Sequence, residues 1–139
     1  PQEHRMIHGV FQLRTKTCGE IMIPRHRVMT VNSDTPIPTL MQLARAKDYG
    51  RFPVYDPAQQ AFVGAIYVFD VMLDPAAETK TVADFMRPPQ FVAHNAPVDH
   101  LLPRMRVTRQ SMGMVMDESF EVVGLVTLED VLQEIVGRL

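Results

Sequence analysis

Val122-Val123-Gly124-Leu125-Val126-Thr127-Leu128-Glu129-Asp130-Val131-Leu132 repeats, sixty residues on, the pattern of Phe62-Val63-Gly64-Ala65-Ile66-Tyr67-Val68-Phe69-Asp70-Val71-Met72. Gly64 falls on Gly124 and Asp70 on Asp130, and each stretch follows a matching triplet, Val54-Tyr55-Asp56 or Val115-Met116-Asp117. The correspondence extends outward. Pro36-Ile37 with Leu40 matches Pro97-Val98 with Leu101 at a spacing of 61, and Met22 with Pro24 resembles Met86 with Pro88. Self-similarity on this scale means two copies of one supersecondary unit, here residues 20–78 and 79–139.

Each copy opens on a proline turn, Ile23-Pro24-Arg25 or Arg87-Pro88-Pro89. A short extended stretch follows, Arg27-Val28-Met29-Thr30-Val31 or Gln90-Phe91-Val92-Ala93. Thr35-Pro36 and Ala96-Pro97 then start a helix with proline in its first turn, where the missing N–H costs nothing. Leu40, Leu43 and Ala44, or Leu101, Leu102 and Met105, supply its buried stripe. Two strands come next, Phe52–Tyr55 with Phe62–Ile66 and Gly113–Met116 with Val122–Val126, joined by polar turns at Asp56-Pro57 and Asp117-Glu118-Ser119. A second helix closes the unit, from Phe69 to Leu73 or from Leu128 to about Arg138, with Val131, Leu132, Ile135 and Val136 at helical spacing.

The predicted class is therefore α/β (α+β), with two β-α-β-β-α repeats. A unit of about 60 residues is marginal alone, so the two are expected to pack through their sheets about a pseudo-twofold axis. Clefts on either side of that axis suit a small ligand.

Length and composition agree with a globular domain: 139 residues, 46% hydrophobic and 22% charged. A formal charge of −2 supplies no basic field for a phosphate backbone, so nucleic acid is not an expected partner. Cys18 is the single cysteine, which excludes an internal disulfide and fits a reducing compartment. Residues 1–19, with Met6, Ile7, Val10, Phe11 and Leu13 near helical spacing, read as a linker helix continuing from an upstream domain.

The chemistry concentrates where the second strand meets the second helix. Unpaired backbone N–H groups and the helix dipole at Thr127 to Asp130 suit a phosphate, Thr127 offers a hydroxyl, and Asp130 can accept both vicinal hydroxyls of a ribose. The same four residues also spell a capping box, in which both side chains only satisfy helix N–H groups. Asp recurs at position 70, but the capping residue does not.

These residues resemble the cystathionine-β-synthase (CBS) domain pair, or Bateman module, of CorC/HlyC-type magnesium and cobalt efflux proteins, which are related to the cyclin M transporters. The resemblance rests on Glu20-Ile21-Met22-Ile23-Pro24-Arg25, on Gly50-Arg51-Phe52-Pro53-Val54-Tyr55, and on the run from Gly124 to Gly137. It implies tandem CBS domains and a homodimer, on the cytoplasmic side of the inner (cell) membrane and attached to a transmembrane domain. It also implies an adenosine nucleotide, ATP or AMP, with Mg²⁺ as a companion ion. By the same resemblance the nucleotide would meet Thr127 and Asp130, with Val28, Met29 and Thr30 and with Arg51, Phe52 and Pro53 from the first copy. A second pocket at Asp70 departs from the family pattern, because Tyr67 stands where Ser or Thr is expected and its ring would fill sugar space. Glu118-Ser119-Phe120-Glu121 also departs, standing where many relatives have a Gly-Gly turn.

Other constellations are thin. His4 and His8 share helical spacing without a third ligand, so no metal site is expected. No P-loop, nucleophile elbow or paired catalytic carboxylate is present, and no enzymatic activity is expected. The alternative to a nucleotide sensor is a structural dimerisation module with an empty cleft.

Overall fold

The computed structural model describes residues 16–138. The helix expected over Met6 to Leu13, and the pair His4 and His8, lie outside the described residues. The elements are α1 (Cys18–Ile21), β1 (Ile23–Pro24), a 3₁₀ turn (Arg25–Arg27), α2 (Ile37–Lys47), β2 (Arg51–Asp56), β3 (Ala61–Tyr67) and α3 (Val68–Met72). Two further 3₁₀ turns (Ala77–Thr79, Val82–Asp84) lead to β4 (Phe91–Ala93), α4 (Val98–Thr108), β5 (Met112–Met116), β6 (Val122–Thr127) and α5 (Leu128–Arg138).

The chain forms two compact units that do not coincide with the two sequence copies. One comprises residues 29–89; the other joins residues 16–28 to residues 90–138. In the second unit, residues 16–25 complete the sheet of the later copy: Ile23 pairs with Leu125 and Pro24 with Gly124, giving the strand order β1-β6-β5-β4. In the first unit residues 80–89 do the same for the earlier copy. Ala65 N–H donates to Arg87 O at 3.0 Å and Arg87 N–H to Ala65 O at 2.8 Å. The anchors match. Thr17 with Glu20 and Thr81 with Asp84 form equivalent capping boxes, and Val98 N–H bonds Lys16 O as Ile37 N–H bonds Lys80 O. Cys18 and Val82 occupy the same buried place, each fully covered.

Glycine at 64 and 124 is what allows this docking. A Cβ on Gly124 would lie 2.6 Å from Ile23 O and 2.5 Å from Met22 Sδ, and one on Gly64 would lie 2.7 Å from Arg87 O. The opening segment therefore passes closer to the strand than any side chain permits.

Each unit has its own apolar core. Phe52, Leu40, Ile66, Val54 and Val82 centre the first, and Cys18, Leu101, Val98, Val115, Val126 and Val131 the second. Both hairpins carry a register irregularity at the same point, Val54/Tyr55 and Val115/Met116. Both hairpin turns and the helices α2 and α4 end on a residue with positive φ (Gln60 and Phe120, Asp48 and Arg109).

Over the stretch Arg27–Val31, Arg27 ends the 3₁₀ turn and Val28 has extended dihedrals, but strand pairing is limited to a single bridge, Val31 to Val54. Its counterpart is the full strand β4, where Met114 N–H donates to Gln90 O at 2.8 Å. Pro53 stands in Met114's place and has no N–H to give, so the ladder stops. On α5, which spans the range read from its apolar spacing, Val131 is buried, whereas Leu132 and Val136 are exposed.

Candidate functional site

Asp130 and Asp70 are both the third residue of a helix that springs directly from a strand end. The preceding residue, Thr127 or Tyr67, is the N-cap position. The two carboxylates have different partners.

In the second unit the Thr127 hydroxyl donates to Asp130 Oδ2 at 2.8 Å and accepts the Asp130 N–H at 3.2 Å. The Thr127 N–H also donates to Oδ2, at 3.2 Å. This is the reciprocal capping arrangement, so that reading of the motif is physically realised. It also corrects the expectation of unpaired N–H groups at this helix start. Those of Thr127 and Asp130 are engaged with each other's side chains, and Leu128 N–H donates to Ser111 O at 2.9 Å. What remains is Asp130 Oδ1, which has no hydrogen-bond partner among the described residues, and no basic side chain there pairs with Asp130. The carboxylate is half-buried, oriented by Thr127, and able to accept two hydroxyl donors.

In the first unit Arg87 holds Asp70 in a two-pronged ion pair. Nε donates to Oδ2 at 2.8 Å and Nη2 to Oδ1 at 2.9 Å. The guanidinium also lies over the Tyr67 ring, 4.3 Å from its centroid. Hydrogen bonding to Asp70 holds the Arg87 pKa above its already high ordinary value. Tyr67 makes no side-chain cap to its helix. The ring was expected to be an obstacle by bulk alone; its observed role is to support a cation that occupies the carboxylate.

The residue in Arg87's place in the second unit is Ile23, since both pair with the strand next to the glycine. Arg51 faces Tyr67 across β2 and β3, and Met112 faces Thr127 across β5 and β6. The first aspartate thus has two arginines at positions where the second has Ile23 and Met112. Sequence reading missed Arg87 as a partner of Asp70. The available signal was a charged residue in one opening segment where the other has an aliphatic one.

The remaining site residues fall as follows. Val28 ends the opening stretch of the second unit, and Met29 and Thr30 begin the first. Thr30 is exposed, and Met29 packs on the first core. The Phe52 ring is completely buried, 5.7 Å from that of Tyr49, and Pro53 is buried with its carbonyl accepting Val31 N–H. These two have no exposed side-chain surface to offer. Arg25, from the opening proline turn, donates to Val122 O at 3.0 Å. That is the far end of β6 from Thr127, roughly 16 Å away by strand rise.

The CBS domain family matches residues 18–74 and 82–137. The chain belongs to that family. It is 37% identical over 142 residues to the UPF0053 protein Rv2366c of Mycobacterium tuberculosis, covering 99% of this chain and 33% of that protein. It is 31% identical over 134 residues to the magnesium and cobalt efflux protein CorC of Pasteurella multocida, covering 95% of this chain and 45% of the relative. The chain thus spans about a third to under a half of these curated CBS proteins. Among solved structures it is similar to the CBS domain of the bacterial CNNM/CorC family Mg²⁺ transporter in complex with ATP, at 36% identity, with a TM-score of 0.88 and full coverage of both chains. No helix among the described residues is long and apolar enough to cross a membrane.

Proposed function

We propose that this CBS pair is the regulatory module of a magnesium and cobalt efflux protein, binding an adenosine nucleotide, ATP in preference to AMP, without catalysing a reaction. The observation that carries the reading is Asp130: a carboxylate oriented by Thr127, with one oxygen uncommitted, matches the two hydroxyls of a ribose. The ATP complex of the 36% identical relative supports it. By the family resemblance Val28, Met29, Thr30, Arg51, Phe52 and Pro53 complete the nucleotide contacts, the last two through their backbones. Among the described residues no group of His, Cys, Asp and Glu could hold a metal ion. Mg²⁺ would therefore arrive on the phosphates.

In this reading the module lies on the cytoplasmic side of the membrane and is joined to a transmembrane domain. Nucleotide biases that domain only to the extent that it binds two conformations unequally. Self-association into a homodimer is supported by apolar side chains left uncovered on the closing helices: Phe69 and Met72 on α3, and Leu132 and Val136 on α5. A calorimetric titration with ATP, ADP and AMP, each with and without Mg²⁺, tests the proposal. One site per chain, filled most tightly by ATP, is the expected result. A folded chain that binds none of the three would leave only the structural dimerisation role.

A further inference from the structure

We infer that Arg87 is a built-in occupant of the first aspartate, and that this arginine, more than the Tyr67 ring, restricts nucleotide binding to the Asp130 half. The inference rests on the nucleotide-binding reading above and concerns which carboxylate can serve it.

Four observations converge. First, Arg87 donates to both Asp70 oxygens, at 2.8 and 2.9 Å, so neither is left uncommitted for a ribose hydroxyl. A bidentate guanidinium–carboxylate pair is charge-assisted at both oxygens and outcompetes the neutral donors of a hydroxyl pair. Second, the arginine is locked at its root. Its backbone exchanges both hydrogen bonds with Ala65, and its carbonyl lies where a Cβ on Gly64 would collide. Third, the guanidinium is held at its edge by Asp70 and on one face by the Tyr67 ring, 4.3 Å away. Fourth, the second unit serves as an internal control. Its backbone is the same, with the same close approach at Gly124, yet Ile23 replaces Arg87, and Asp130 keeps an uncommitted oxygen.

A ligand that wanted Asp70 would first have to break the pair and leave Arg87 without its counter-ion. The cost corresponds to roughly 10- to 100-fold in affinity, from the 1.5–3 kcal/mol of hydrogen bonds to charged groups. Removing the arginine should therefore expose a second carboxylate, and adding one opposite Asp130 should close the first.

The experiment is calorimetric titration of Mg²⁺-ATP into the wild-type chain, Arg87→Ile, Arg87→Ile/Tyr67→Thr and Ile23→Arg, with a melting curve for each. Stoichiometry is expected to rise from one to two per chain in Arg87→Ile. In Ile23→Arg the Asp130 affinity is expected to fall by roughly 10- to 100-fold. A folded Arg87→Ile that still takes one nucleotide overturns the inference. So does a second site that appears only when Tyr67 is also replaced, because the ring would then be the barrier. If Arg87→Ile does not fold, Ile23→Arg decides alone: undiminished ATP affinity overturns the inference, and loss sustains it. A wild-type chain that binds no ATP is a different outcome and removes the nucleotide reading itself. The clasp is then still measured by the coupling of Arg87→Ile and Asp70→Asn in melting temperature.

Discussion

Asp70 and Asp130 stand at the same turn of equivalent helices, and their neighbours have given them opposite fates. Asp70 is neutralised within its own unit by Arg87, while Asp130 is steadied by a threonine and keeps a free oxygen. The backbone geometry is common to both, so the difference lies in a few side chains: Arg87 against Ile23, Tyr67 against Thr127, Arg51 against Met112. A duplicated fold therefore need not be a duplicated site. The scaffold supplies two positions, and local electrostatics decide which remains available.

The sharpest challenge to this comparison is aimed at the shared backbone. Gly124→Ala should lower stability by about 3 kcal/mol, the upper end of overpacking costs, because a backbone carbonyl stands in the way. Gly64→Ala should cost slightly less, its carbonyl contact being 2.7 Å against 2.6 Å. Denaturant melts of the two variants measure this. If either substitution is harmless, the close approach that makes the halves equivalent is wrong.

Next in size is the contrast between the aspartates themselves. Asp130→Ala should weaken ATP binding by about 1.5–3 kcal/mol, through loss of hydrogen bonds to a charged group. Asp70→Ala should leave affinity nearly unchanged but reduce stability by about 1 kcal/mol, since a third of Arg87 is exposed and screening discounts the pair. Titration and melting of both variants give the four numbers needed. A larger affinity loss from Asp70→Ala than from Asp130→Ala would reverse the assignment.

Thr127→Ala sharpens the same contrast. It should lower affinity by about 0.5–1.5 kcal/mol, the value of one hydrogen bond, because Asp130 loses its orienting partner. The same substitution should destabilise by about 1 kcal/mol through the lost cap. Tyr67→Ala should not reproduce the cap loss, because Tyr67 makes no side-chain cap. Equal cap losses in the two variants would show that the N-caps are not distinguished as described.

The hairpin turns differ by less. Phe120 is exposed at φ 62 and Gln60 at φ 51, both in the left-handed region. Phe120→Gly should stabilise by about 0.5–1 kcal/mol, as relief of left-handed strain outweighs glycine's greater chain entropy. Gln60→Gly is expected to gain less, its side chain being narrower. A loss of stability in Phe120→Gly would mean that the ring makes contacts the folded chain depends on.

Acid response should be the smallest effect. In the first unit the Lys80 ammonium and the Ala76 N–H hold the Asp74 carboxyl below its usual range, and in the second a backbone N–H and His94 do the same for Glu118. Both folded pKa values are depressed. Their stabilisation is therefore complete above the ordinary carboxylate range and is lost as pH falls through the lowered values. Melting temperature should decline only below that range, and Asp74→Asn should flatten part of the decline. An unchanged acid slope in Asp74→Asn would remove the Lys80 pair as a contributor.

Much of this was legible in one dimension. The sixty-residue register of Gly64 with Gly124 and Asp70 with Asp130 announced two equivalent strand-to-helix joints, because strand and helix periodicities are written in contiguous residues. Prolines 36 and 97 marked the helix starts, and Thr127 with Asp130 spelled a capping box that the structure realises. Pro53 also carried the reason for the shortened first strand, although its effect depends on which residue lies opposite.

Tertiary structure alone decided the rest. The opening segments 16–25 and 80–89 are alike, and nothing local says which body each completes; the answer comes from pairing with a strand about a hundred residues ahead for the first and about twenty residues back for the second. For the same reason Arg87 read as one half of a proline turn, while its guanidinium reaches a carboxylate seventeen positions earlier. Sequence spelled out the two aspartates, since they belong to local patterns. Only the folded chain, by setting a charge beside one and an aliphatic side chain at the same place beside the other, determined which of them keeps an uncommitted oxygen.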